Sequence, residues 1–69
     1  MSRNRGNTVF DWKDGEYQYC YDLVANGGDK NVPRYALKDY LNVQVVSAVR
    51  DQRLDVVGAL VNLIDKVQS

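Results

Sequence analysis

The stretch Leu54–Val67, LDVVGALVNLIDKV, constrains the fold more than any other part of the chain. On a helical wheel Asp55, Gly58, Asn62, Asp65 and Lys66 gather in one narrow sector. Apolar residues fill the rest, roughly 220° of the circumference, whereas a helix resting on its own domain needs only about a 100° stripe. Something must cover the surplus, either the rest of the chain or a second copy of it. The arc divides into two seams: Val56, Leu60, Leu63 and Val67 along one, and Leu54, Val57, Val61 and Ile64 along the other. We expect the first to serve the core and the second to serve a homodimer interface. Gly58 lies on the polar side and costs roughly 1 kcal/mol of helix propensity relative to Ala. Close approach of another backbone is one reason for a glycine there.

Length sharpens the point. A chain of 69 residues is one domain, near the size at which a single core supplies only about 3–5 kcal/mol and small folds need staples. One cysteine, Cys20, and no histidine rule out a disulfide and make a metal or other cofactor unexpected. Oligomerisation is the staple that remains. Nine basic and nine acidic residues cancel, which argues against general attraction to nucleic acid or anionic membrane. The opening MSRNRGN has no apolar run, so no signal peptide is expected, and no stretch approaches a membrane span. The lone thiol suggests a reducing, cytoplasmic setting. Residues 1–7 read as a flexible arm, and 8–69 as a single α+β domain.

The α+β reading rests on Thr8–Leu23. Asp14-Gly15 is a favoured pair for a two-residue hairpin turn, because both central positions need φ > 0. Reading outward, Lys13 opposes Glu16, Trp12 opposes Tyr17, and Phe10 opposes Tyr19. Tyr17, Tyr19, Tyr21 and Leu23 alternate with polar residues, the period of a half-buried strand. A small N-terminal β-hairpin packed on two or three helices follows. Trp12, Tyr17 and Tyr19 become the candidate contacts to a partner protein, since aromatics are enriched at interface hot spots; the plainer reading makes this aromatic face the one by which the hairpin covers the C-terminal helix. The rival reading is a helix, with Tyr17, Tyr21 and Val24 at i, i+4 and i+7 and Gly27 as its cap.

Ala25–Val32, ANGGDKNV, reads as a loop, and it lacks the spacing of a phosphate-binding cradle. Pro33–Leu41 reads as a short helix opened by proline. Asn42 is then placed as the cap of the next helix. Val43, Val45, Val46 and Val49 would continue the apolar arc of the last helix if one helix ran unbroken from Val43 to Val67, with Val46, Val49, Val56, Leu60, Leu63 and Val67 as a heptad seam. The polar run Arg50-Asp51-Gln52-Arg53 interrupts that pattern, so a break is placed near Asp51–Arg53, the unbroken helix being the alternative.

Tyr35-Ala36-Leu37-Lys38-Asp39-Tyr40-Leu41-Asn42-Val43 resembles the first helix and turn of the phage-repressor type of helix-turn-helix domain. That resemblance implies a recognition helix over Val43–Arg53 and a dimeric DNA-binding regulator. Its candidate nucleic-acid contacts are Arg34, Lys38, Gln44, Arg50 and Arg53, residue types that read base edges and phosphates. The plainer reading makes these cations solvated, or pairs them with Asp39, Asp51 and Asp55. An enzyme is not expected, because the commonest general base is missing and Cys20 has no cationic neighbour to activate it. The leading expectation is a small non-catalytic protein-binding module, a homodimeric accessory or inhibitor of the kind phages and mobile elements encode. The helix-turn-helix regulator is the alternative.

Overall fold

The computed structural model describes residues 8–68, so the arm expected at residues 1–7 lies outside the described residues. A 3-10 segment Val9–Asp14 leads into helix α1, Glu16–Asn26. A 3-10 turn Arg34–Ala36 leads into α2, Leu37–Arg50, and α3 is Leu54–Gln68. No strand occurs among the described residues, so the expected hairpin and the α+β class are both incorrect. The domain is a small helical bundle.

The hairpin fails for a specific reason. Asp14 and Gly15 do take the positive φ that the turn chemistry demands, at 55° and 102°, but Lys13 is left-handed as well, at 48°. Three such residues in a row swing the chain into a helix instead of pairing it back on itself. Along α1 the buried positions are Tyr17, Cys20 and Leu23, spaced three apart as one helix face requires. The tyrosine alternation is incidental, because Tyr21 is exposed and Tyr19 half-buried. Glu16 sits in the first turn, where a carboxylate suits the helix dipole.

The end of α1 follows the rival reading. Gly27, with φ of 79°, caps it by donating its N–H to the Leu23 carbonyl. Gly28 continues the cap, also donating its N–H to the Leu23 carbonyl at 2.7 Å, the 6→1 bond of a Schellman motif, while the Gly27 N–H keeps the same carbonyl. A Cβ on Gly28 would sit 2.7 Å from both the Arg34 nitrogen and the Val32 oxygen. Asp29 then closes the loop. Its carboxylate accepts N–H groups from Asn31 and Val32 at 2.8 and 2.7 Å and the Tyr19 hydroxyl at 2.8 Å.

Pro33 stands just before the 3-10 turn, as its fixed φ favours. From Leu37 the helix runs through Asn42 without interruption. The cap placed at Asn42 is therefore a mid-helix residue. The break comes at Asp51–Arg53, where it was expected. Here the Gln52 N–H bonds the Val49 carbonyl and the Arg53 N–H bonds the Ala48 carbonyl, both at 3.0 Å. This is the full Schellman pattern, with Gln52 at φ of 59° in the place usually taken by glycine. The chain turns back, and α3 makes its most extensive contacts along α2.

One core fills the space between. Leu41 and Ala48 of α2, Val56, Leu60 and Leu63 of α3, and Trp12, Tyr17 and Cys20 pack together. Leu23, Val32 and Leu37 form a smaller cluster that pins the loop after α1. Burying one leucine fully is worth about 1.5–3 kcal/mol. Three polar ties fasten the N-terminal segment across the α2–α3 turn. The Trp12 indole N–H donates to Asp51 at 2.8 Å, Lys13 donates to Ser47, and Arg53 donates to the Thr8 carbonyl at 3.1 Å.

Two substitutions test these turns. Gln52→Gly relieves a left-handed non-glycine residue and should stabilise the fold by about 1 kcal/mol, raising the melting temperature by roughly 4–8 °C. Gly28→Ala should destabilise it by about 1–3 kcal/mol through strain and backbone collision. Thermal unfolding followed by circular dichroism measures both, and the opposite sign in either would refute the turn geometry.

Candidate interaction surfaces

The sites expected from sequence end up in different surroundings. Trp12 and Tyr17 are core residues and Tyr19 is half-buried. They present no aromatic platform to a partner. Tyr17 instead receives Phe10 edge-on, with centroids 5.5 Å apart, and Tyr19 meets Tyr40 edge-on at 6.0 Å. Such pairs stabilise packing beyond the area they bury.

The nucleic-acid candidates do not assemble. Lys38, Gln44 and Arg50 are six residues apart along one unbroken helix, which places them about 120° from one another round its axis. Gln44 is half-buried, while Arg34 lies on the preceding 3-10 turn. Arg53 is engaged by Asp55 through two bonds, at 3.0 and 2.9 Å. That pair holds the Asp55 carboxyl below its usual range. Because α2 passes straight through Asn42, Val43–Arg53 is not a separate recognition helix.

Inside the bundle, Glu16 accepts the Tyr40 hydroxyl at 2.5 Å and the Cys20 thiol at 3.7 Å. Burial, and then the Glu16 charge, push the Cys20 thiol up to about 12. Burial and the bond to Glu16 likewise drive Tyr40 above its ordinary range. A protonated, fully buried thiol is a packing group rather than a nucleophile. No cluster of three or more metal-ligating side chains occurs among the described residues. No helix there is long and apolar enough to cross a membrane.

What the structure does gather is apolar surface on the two longest helices. Ser47 and Asp51 face the N-terminal segment, and Tyr40 faces α1. On α3, Leu63 and Lys66 lie beside Tyr21, Val24 and Ala25 of α1. The N-terminal half thus covers one side of the α2–α3 pair. On the side turned away from α1 the helical period places Val45 and Val49 on α2 and the seam Leu54, Val57, Val61 and Ile64 on α3. Leu54 remains 75% exposed, Val49 52% and Val61 48%. Val57 and Ile64 are half-buried along the groove between the helices. The companion seam behaves as the core seam was expected to, with Val56, Leu60 and Leu63 buried.

A second patch lies on the outer side of α2, away from the core. Val43 is 62% and Val46 53% exposed there. With Ser47 and Arg50 they line a shallow depression of about 330 Å³. Sequence reasoning missed this patch, because it set Val43, Val45, Val46 and Val49 together as one apolar side that an unbroken helix would join to the arc of α3. The i, i+3 spacing of Val43 and Val46 opposite Leu41 and Ala48 was the signal available.

The buried thiol and phenols fix the response to alkali. Their acid forms are favoured in the folded state, so this stability is fully present below the unfolded pKa values, near 9–10. It is lost as pH rises from there through the higher folded values. The urea midpoint should therefore fall between pH 8 and pH 11, and Cys20 should resist thiol reagents until the chain unfolds. An unchanged midpoint over that range would contradict the burial described. Comparison with protein-family models, curated proteins and solved structures finds no match to this chain.

Proposed function

We propose that the protein is a small non-catalytic protein-binding module, an accessory or inhibitor that occupies the surface of another protein in a reducing, cytoplasmic setting. The observation that carries this reading is the outer patch of α2, where Val43 and Val46 stand exposed beside Arg50. Neighbouring helical valines facing water lose free energy that a docked apolar side chain would recover, at about 25 cal/mol per Å². The partner's chemistry follows from the rim. Arg50 borders the depression, and Lys13 is held beside it on Ser47, its ammonium 5.0 Å above the Trp12 ring. Asp39 lies one turn before Val43, so positive charge prevails at the Arg50 end only. A helix with two or three apolar side chains at i, i+3 and i+4, and carboxylates at one end, fits such a surface.

A display library of helical peptides selected on the purified protein tests this. The selected consensus should pair apolar i, i+3 positions with Asp or Glu. Binding should weaken at least tenfold in Val46→Glu and lose part of its salt dependence in Arg50→Gln, Lys13 keeping the rest. A basic consensus, or binding indifferent to both variants, would overturn the reading.

A further inference from the structure

Lys13 holds a left-handed backbone, with φ of 48° and ψ of 41°, that glycine adopts freely and lysine rarely does. Asp14 and Gly15 follow at φ of 55° and 102°, and together they form the hinge between the 3-10 segment and α1. What the strained lysine achieves is placement. Its ammonium donates to the Ser47 hydroxyl and lies 5.0 Å from the centre of the Trp12 ring. Ser47 and Arg50 line the outer depression together with Val43 and Val46. They stand one helical turn apart, with Cβ atoms about 5–6 Å from each other. Both partners of the Lys13 ammonium are uncharged, and among the described residues neither Lys13 nor Arg50 has a carboxylate within ion-pair distance. Two uncompensated cations therefore meet at one end of the patch. One of them is there only while the N-terminal segment is docked.

That docking is lightly held. Trp12 is the one buried side chain of Val9–Asp14, and Phe10, Asp11, Lys13 and Asp14 are exposed. Among the described residues no backbone hydrogen bond joins this segment to α2 or α3. The hold is Trp12 on Asp51, Lys13 on Ser47 and Arg53 on the Thr8 carbonyl, while α1 keeps core residues of its own. A segment fastened by one ring and three side-chain bonds, and strained at its hinge, belongs to the low-stability end of local opening. We infer that Val9–Gly15 is a strap that opens as a unit while the helices stay folded, and that its closure assembles the two-cation end of the outer patch, the end read by the carboxylates of an acidic helix. This inference rests on the docking role proposed above. Linkage fixes the sign: a ligand that engages Lys13 in its docked place binds the closed form better and must hold the strap shut.

Hydrogen exchange of the full chain, followed by NMR, tests this, because the Trp12 indole N–H is bonded to Asp51 only while the strap is closed. Its protection should be roughly tenfold below that of the Leu41 and Leu60 amides. The ligand probe is a fixed amphipathic helical peptide with leucines at i and i+3 and glutamates at one end. At saturation it should slow the indole exchange by about fivefold. Lys13→Gln removes the charge and should weaken peptide binding by about fivefold, and Lys13→Arg should recover most of that loss. An indole N–H as well protected as the core amides overturns the inference. So does peptide binding that leaves the indole exchange unchanged or is indifferent to Lys13→Gln. Each of these outcomes leaves the docking reading standing. A peptide that fails to bind while the indole still opens early overturns the docking reading, and the role of the strap falls with it.

Discussion

Asp51 is where the two halves of the molecule are joined. It is the last residue before the left-handed Gln52, and its carboxylate accepts the indole N–H of Trp12 from the far end of the chain. The reversal brings Val56, Leu60 and Leu63 back onto Leu41 and Ala48. Without it α3 would lose the surface of α2, against which it makes its most extensive contacts. A hydrogen bond to a charged group contributes about 1.5–3 kcal/mol net, a large part of what a domain this small has in hand. Lys13 on Ser47 and Arg53 on the Thr8 carbonyl reinforce the same junction.

The bundle is consequently lopsided. The N-terminal segment and α1 lie on one side of the α2–α3 pair, and no described element lies on the other. Three helices enclose a core only along the line where all three meet, and the flanks beyond that line stay bare unless a fourth element arrives. Val57 and Ile64 are half covered because they lie at the edge of that line, while Leu54 and Val61 are one step further round. The outer patch of α2 is bare for a simpler reason, since it points directly away from the core.

Much of α3 was legible in its sequence. Two apolar seams on one helix are a property of residue order alone, whereas the polar run at Arg50–Arg53 was compatible both with a break and with one helix over Val43–Val67, and the left-handed Gln52 decides for the break. Gly27 as a cap and Pro33 as an opener also follow from local backbone chemistry. The N-terminal third was misread because its signals are shared by two structures. Positive φ at Asp14 and Gly15 serves a hairpin turn and equally an abrupt entry into a helix. Tyr17, Tyr19 and Tyr21 satisfy a period of two, and only the burial of Cys20 between them settles the period as helical. Asn42 illustrates the same limit, since asparagine favours caps but tolerates a helix interior when Leu37, Leu41 and Ala48 already hold both flanking turns in the core. The candidate sites shared this weakness. Trp12 and Tyr17 were assigned to a surface because a hairpin would have left one face for a partner, and the helix spends them inside.

The junction at Asp51 has a practical side. Trp12 is the one tryptophan of the chain, and it is nearly inaccessible to water with its N–H directed at a carboxylate. Fluorescence excited at the red edge of protein absorbance therefore arises from a single known place, the seam that locks the chain's beginning to its middle. Emission colour reads out directly whether that lock is shut, and it does so without any label being attached.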